Sequence, residues 1–125
     1  MLLWCAVIFT ASTSHFSAAA TSRWIEPLLR ALFPGASLMA IHTMHFLVRK
    51  AAHFTEYGIL FLLLARGPLR GRPILALAIC ACYALTDEAH QIWVPLRGPS
   101  LYDVALDFSG ALFSNFMHQS VLELV

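Results

Sequence analysis

The stretch Pro73-Ile74-Leu75-Ala76-Leu77-Ala78-Ile79-Cys80-Ala81-Cys82-Tyr83-Ala84-Leu85-Thr86-Asp87-Glu88-Ala89-His90-Gln91-Ile92-Trp93 decides how the rest of the chain is read. Pro73 suits a first helical turn, where no N–H donor is required, and Pro95 blocks extension at the other end. A helix from Ile74 to Trp93 has 20 residues. At about 1.5 Å per residue it would be about 30 Å long, the thickness of a bilayer's hydrocarbon core. Yet its last two turns hold Asp87, Glu88, His90 and Gln91, groups that are costly inside lipid.

Working outward, the same combination recurs on both sides. Upstream, a helical pattern builds from Leu38 through His42 and His45 into Arg49-Lys50. It then runs apolar from Ala51 to Ala65, with His53, Glu56 and Tyr57 in its early turns, and stops at Gly67-Pro68. Downstream, a block from Leu101 to about Val121 carries Asp103 and Asp107 near its start. Of the 125 residues 59% are hydrophobic and 12% charged, against roughly 25% charged in soluble domains. The apolar residues lie in blocks rather than stripes, which leaves no polar outer face. The predicted fold is all-α: a polytopic transmembrane helical bundle in a single domain over 1–125. About four spans are expected, near 1–16, 49–65, 74–93 and 102–121, with a short interfacial helix between the first and second.

The first block, Met1 to Ala11, needs the Ser and Thr residues up to Phe16 to reach spanning length. It reads as an uncleaved helix. Its rival is a signal peptide cut near Ser17-Ala18-Ala19-Ala20, although the usual positive n-region is missing. Trp24 to Phe33 sets Arg23, Glu26 and Arg30 against Trp24, Leu28, Leu32 and Phe33, an interfacial amphipathic pattern closed by Pro34-Gly35. Net charge is +1, too little for a nucleic-acid partner. Cys5, Cys80 and Cys82 sit in apolar runs without disulfide or metal-knuckle spacing and read as packed thiols.

Three arginines crowd Arg66 to Pro73, and short positive loops stay cytoplasmic. The second span's start, the third's end and the fourth's start then lie on the outer side, although Arg23, Arg30, Arg49 and Lys50 fall there too. Simple up-and-down topology gathers one polar cluster at that level: Lys50, His53, Glu56, Tyr57, Asp87, Glu88, His90, Gln91, Arg97, Asp103 and Asp107. Lys50, His53 and Tyr57 share a helix face, as do Asp103 and Asp107, whose stripe continues in the small residues Gly110 and Ser114. With Arg49 included, three cations face five carboxylates, a net of −2 with neutral histidines, which calls for a held proton or an outside cation. Arg97, in a short loop after Pro95, is expected to be the principal cation because its planar guanidinium reaches two carboxylates, or a phosphate, bidentately. The bland alternative is that these groups only lock helices together. His15, His42, His45 and His118 are assigned no role.

The run Val48-Arg49-Lys50-Ala51-Ala52-His53-Phe54-Thr55-Glu56-Tyr57-Gly58, then Tyr83 to Gln91, then Pro95-Leu96-Arg97-Gly98-Pro99-Ser100 and finally Asp103 to Gly110 resembles the VanZ-like membrane protein family. Four linked motifs in order carry the resemblance over roughly Val48 to Ser114. The family pattern often has Pro-Gly-Arg where this chain has Pro95-Leu96-Arg97, and Asn where it has Asp107. The resemblance implies a multi-pass protein of the bacterial inner (cytoplasmic) membrane with four spans. The family is named for a member associated with reduced susceptibility to the glycopeptide teicoplanin. The expected function is binding or modulating a cell-envelope lipid, a wall precursor or an amphiphilic glycopeptide, with membrane lipids as partners. The alternative is a membrane-embedded, metal-dependent enzyme acting on a lipid-linked substrate, in which Asp87 or Glu88 is a base and His53-x-x-Glu56 with Asp87 and His90 ligates a divalent ion. No G-x-S-x-G, H-E-x-x-H or Walker loop is present, so whether the chain is an enzyme stays open, and no cofactor or metal is assigned. A transporter is the third class, but 125 residues show no inverted repeat.

Overall fold

The computed structural model describes residues 2–13, 17–93 and 100–123. Among them the chain forms five helices and no strand: α1 (Leu2–Ala11), α2 (Ala18–Leu32), α3 (Leu38–Arg66), α4 (Pro73–Gln91) and α5 (Leu101–Glu123). Serines set the starts of α2 and α3. The Ser17 hydroxyl accepts from Ala20 N at 3.3 Å and the Ser37 hydroxyl from Ala40 N at 3.2 Å, satisfying amides that have no partner within the helix. Pro73 occupies the opening turn of α4, and Asp103 sits in the first turn of α5, where its charge complements the helix dipole. Between α3 and α4 the chain reverses over Gly67–Arg72 in a tight turn, with Gly71 at φ 78°, a conformation that L side chains rarely adopt.

α3 and α5 make the most extensive contact and run parallel, with α4 antiparallel to both and also packed against them. The α3–α5 register holds along the whole interface: Lys50 meets Asp103, His53 meets Asp107, Gly58 meets Gly110 and Ser114, and Phe61 meets His118. A Cβ at Gly110 would collide with the Phe54 carbonyl, and one at Gly58 would lie 2.7 Å from Ser114 Oγ. The small-residue stripe therefore lets two backbones touch. Tyr57, Leu60, Phe61, Leu64, Ala76, Cys80, Ala84 and Ala111 fill the core, closed on one side by Ile8 of α1.

α1 covers only the half of the bundle that holds the polar residues. Trp4 Nε1 donates to the Glu56 carbonyl at 3.0 Å, Tyr83 donates to the Cys5 carbonyl at 2.7 Å, and Ser12 Oγ donates to Asp87 Oδ2 at 2.6 Å. This corrects the expectation of a first helix reaching Phe16. α1 has ten residues, and Ser12 leaves the helix to meet Asp87; residues 14–16, with His15, lie outside the described residues. α2 begins six residues earlier than the expected amphipathic stretch and turns Leu29, with Thr21 and Ile25, toward α3. Trp24, Leu28 and Leu32 point away from the protein.

Among the described residues no helix is long and apolar enough to cross a membrane. α1 and α2 are too short. α3, α4 and α5 have the length, but Arg49, Lys50 and Glu56, then Asp87, Glu88 and His90, then Asp103 and Asp107 fall inside the segments that would span.

Candidate functional site

Lys50 and Asp103 form an ion pair between α3 and α5, and the Lys50 ammonium lies 5.2 Å from the Phe46 ring centroid and 5.7 Å from that of Tyr102. One turn further along the same interface, His53 Nδ1 stands 3.3 Å from Asp107 Oδ1. Asp107 is fully buried. Spacings of three and four residues on α3 and of four on α5 put both pairs on facing stripes of two parallel helices, so one register sets both.

α4 supplies the middle of the cluster. Asp87 and Glu88, each 4% exposed, leave the helix in neighbouring directions. Asp87 accepts the Ser12 hydroxyl, while Glu88 accepts Gln91 Nε2 at 3.2 Å and the Ser100 amide at 2.7 Å. The Ser100 amide opens α5, so Glu88 ties the end of α4 to the start of α5 three residues before Asp103. Tyr57 is buried in the neighbourhood of Asp87 and Asp107, its ring 6.3 Å from that of Tyr83. Lys50, His53, Tyr57, Asp87, Glu88, Gln91, Asp103 and Asp107 are thus brought together. His90 sits at the margin, its ring tilted against that of Phe9 with centroids 4.7 Å apart. Arg97 lies outside the described residues.

Glu56 faces another way. With Arg49 and His53 of α3 it lines a cavity of about 130 Å³ whose other walls are Ala11, Thr21, Ile25, Val48 and Ala52. Glu56 and Ala11 also line an adjoining groove of about 490 Å³ along Leu3, Ala6, Val7 and Thr10 of α1. Among the described residues no three His, Cys, Asp or Glu side chains are arranged to hold a metal ion. The set His53, Glu56, Asp87 and His90 is not gathered: His53 turns to Asp107, Asp87 to Ser12, and His90 to Phe9.

A second polar group joins α2 to α3; its histidines were assigned no role, and Arg49, counted among the cluster's cations, reaches Thr21 of α2 here. His45 Nε2 is 3.1 Å from Thr21 Oγ1, and Arg49 Nη1 donates to that same oxygen at 3.0 Å. Glu26 Oε1 stands 3.1 Å from His42 Nδ1 and 3.6 Å from His45 Nδ1. Burial, with help from Arg49, holds His45 below the ordinary histidine value, against the opposing pull of Glu26. The available signal was the spacing His42, His45, Arg49, which places all three on one helix face opposite the polar face of α2.

No curated protein and no solved structure matches the chain. A family model described as VanZ/LLP1 matches residues 1–119, which extends the resemblance upstream of Val48 through α1 and α2. The motifs that build the cluster on α3, α4 and α5 and the helices laid against them fall within one matched unit, and the chain belongs to the VanZ/LLP1 family.

Proposed function

We propose that this chain is a multi-pass protein of the bacterial cytoplasmic membrane in which α3, α4 and α5 cross the bilayer, and that its outer polar cluster binds an envelope amphiphile. The candidates are a membrane lipid, a lipid-linked wall precursor or an amphiphilic glycopeptide. The observation that carries this reading is the inversion of polarity. Asp87, Glu88, Gln91 and Asp107 are buried, whereas large apolar side chains stand exposed on every helix, among them Leu3, Trp24, Leu63, Ile74, Ile79 and Phe116. A water-soluble protein rarely exposes apolar patches beyond a few hundred Å². Lipid satisfies such a surface, and the ionisable groups then face one another inside the bundle, as the expense of charge in hydrocarbon requires.

The membrane part is tested by washing membranes with alkaline carbonate, which strips peripheral proteins; release of this chain would end the reading. The binding part is tested by extracting the protein with its annular lipid and comparing co-purified lipids and wall precursors between wild type and Asp103→Asn. Enrichment of one amphiphile over the bulk membrane, lost in the variant, is expected. A co-purified mixture identical to the bulk in both proteins would remove the binding role.

A further inference from the structure

The carboxyl groups of the cluster are unequally provided for. Asp103 pairs with Lys50, Glu88 accepts the Ser100 amide and Gln91, and Asp87 accepts the Ser12 hydroxyl. Asp107 is fully buried, and neither of its oxygens receives a hydrogen bond from the described residues. Its ion-pair partner among them is His53, with Nδ1 3.3 Å from Oδ1. The Tyr57 hydroxyl, also buried and without a hydrogen-bond partner there, brings Asp107 no donor.

A buried charge-separated pair repays its desolvation only with good geometry and further hydrogen bonds to the charged atoms. His53 and Asp107 fall short of hydrogen-bond geometry, and Asp107 has no second donor among the described residues. A neutral carboxyl beside a neutral imidazole removes both buried charges. The ionisable groups that bear on the pair are Glu56 of α3, Asp87 and Glu88 of α4 and Asp103 of α5. All are acids, and negative neighbours favour a proton on Asp107. The cations beside it on α3, Lys50 and Arg49, are engaged with Asp103 and Thr21.

His53 connects this buried carboxyl to the surroundings. Its ring also lines the cavity of about 130 Å³ between α1, α2 and α3, and two residues of the cavity's wall, Val48 and Ala52, are exposed. Thr21, Arg49 and Glu56 make part of that wall polar, so the cavity suits water. Arg49 and Glu56 are engaged within the chain and act here as polar wall only. From α2 and α1 the remaining walls are Ile25 and Ala11, neither of them ionisable. Nδ1 is directed to Asp107, which leaves Nε2 to exchange protons with the cavity.

We propose that Asp107 is a proton-binding site loaded from this cavity through His53. A hydronium ion in the cavity protonates Nε2 and becomes water. Nδ1 gives its proton to Asp107 Oδ1, and a neutral imidazole protonated on Nε2 remains. One proton enters and one carboxylate is neutralised. The site stands whether lipid or water surrounds the bundle, so it does not rest on the membrane reading above.

Infrared spectroscopy of the full chain in detergent at neutral pH tests this, because a protonated carboxyl group has a carbonyl stretch that shifts in heavy water. The wild type should show that band, and Asp107→Asn should lose it while the amide bands report unchanged helix content. Labelling the aspartates with heavy carbon should move the band, a check that needs no substitution. On rapid mixing with heavy water, His53→Phe should keep the band but slow its shift at least about a hundredfold, since a positioned proton-transfer group contributes about 10²–10⁴-fold. Ala52→Phe, which fills the cavity without touching a charge, should slow the shift too. A wild-type spectrum without the band overturns the site, because an imidazolium or water then meets the charge. A band that survives Asp107→Asn, or that ignores the aspartate label, overturns it in favour of another carboxyl group. A shift as fast in His53→Phe as in the wild type overturns the route.

Discussion

Lys50 and Asp103 retain about a fifth of their side-chain exposure, 21% and 18%, which places their pair between two energetic regimes. An exposed pair contributes at most about 1 kcal/mol, while breaking a buried one costs about 3–5 kcal/mol. Lys50→Asp or Asp103→Lys alone should therefore lower stability by about 1–3 kcal/mol, and the double exchange should recover most of the loss. Denaturant titration of the purified protein reads this directly. Singles without effect, or a double variant no better than the singles, would show that α3 and α5 are held by packing alone. His45 gives a second prediction at this scale. Its folded value lies below the unfolded 6.5, so the folded state binds fewer protons just below that pH. Stability is then complete above about pH 6.5 and declines as the pH falls from there toward the folded value. His45→Gln should flatten that part of the stability profile, and an unchanged slope would assign it to other groups. The faces that meet between α3 and α5 were legible because periodicity fixes which side chains share a face, but Glu56, on the same helix, turns to another recess and His90 to the margin. The link between His45 and Thr21 was not legible, because nothing in a single chain's periodicity says which helix lies opposite.

α3 and α5 approach closely at Gly110, whose missing side chain is what admits the Phe54 carbonyl. Overpacking a close-packed contact costs about 1–3 kcal/mol. Here the obstructing atom is backbone, which cannot rotate away. Gly110→Ala should lower stability toward the upper end of that range and should also loosen the Lys50–Asp103 and His53–Asp107 pairs, because one register sets all three contacts. Gly35→Ala, with open space around its Cβ, serves as the control and should change little. Equal stability of the two variants would show that the helices stand further apart than described. The long helices were readable from apolar blocks and their punctuation, Pro73 and Gly67 above all. The apolar block Met1 to Ala11 was readable as α1, but its expected extension to Phe16 was not met, and the bond from Ser12 to Asp87 joins residues 75 apart, beyond the reach of local pattern.

For the molecule as a whole, the proposed membrane reading carries a direction of insertion that follows from how the cations are used. Arg66, Arg70 and Arg72 are exposed around one reverse turn, and short loops rich in Arg stay cytoplasmic. At the opposite end Arg49 and Lys50 are engaged with Thr21 and Asp103, which leaves Arg23 and Arg30, exposed on α2, as the competing cations among the described residues. Three charges clustered in one short turn outweigh cations dispersed along the sequence, Arg97 included. The α3–α4 turn should thus be cytoplasmic and the start of α5 outer. Single cysteines at Pro68 and Leu101 test this in a background lacking Cys5, Cys80 and Cys82. Both sites are exposed, and neither has the left-handed backbone that makes Gly71 a strained place for a side chain. An impermeant maleimide applied to intact cells should label Leu101→Cys at least several-fold more than Pro68→Cys, and permeabilised cells should label both alike. The reverse pattern would turn the molecule over. The polar cluster would then face the cytoplasm with its geometry unchanged, because its convergence depends on helix direction and register and not on which side is out.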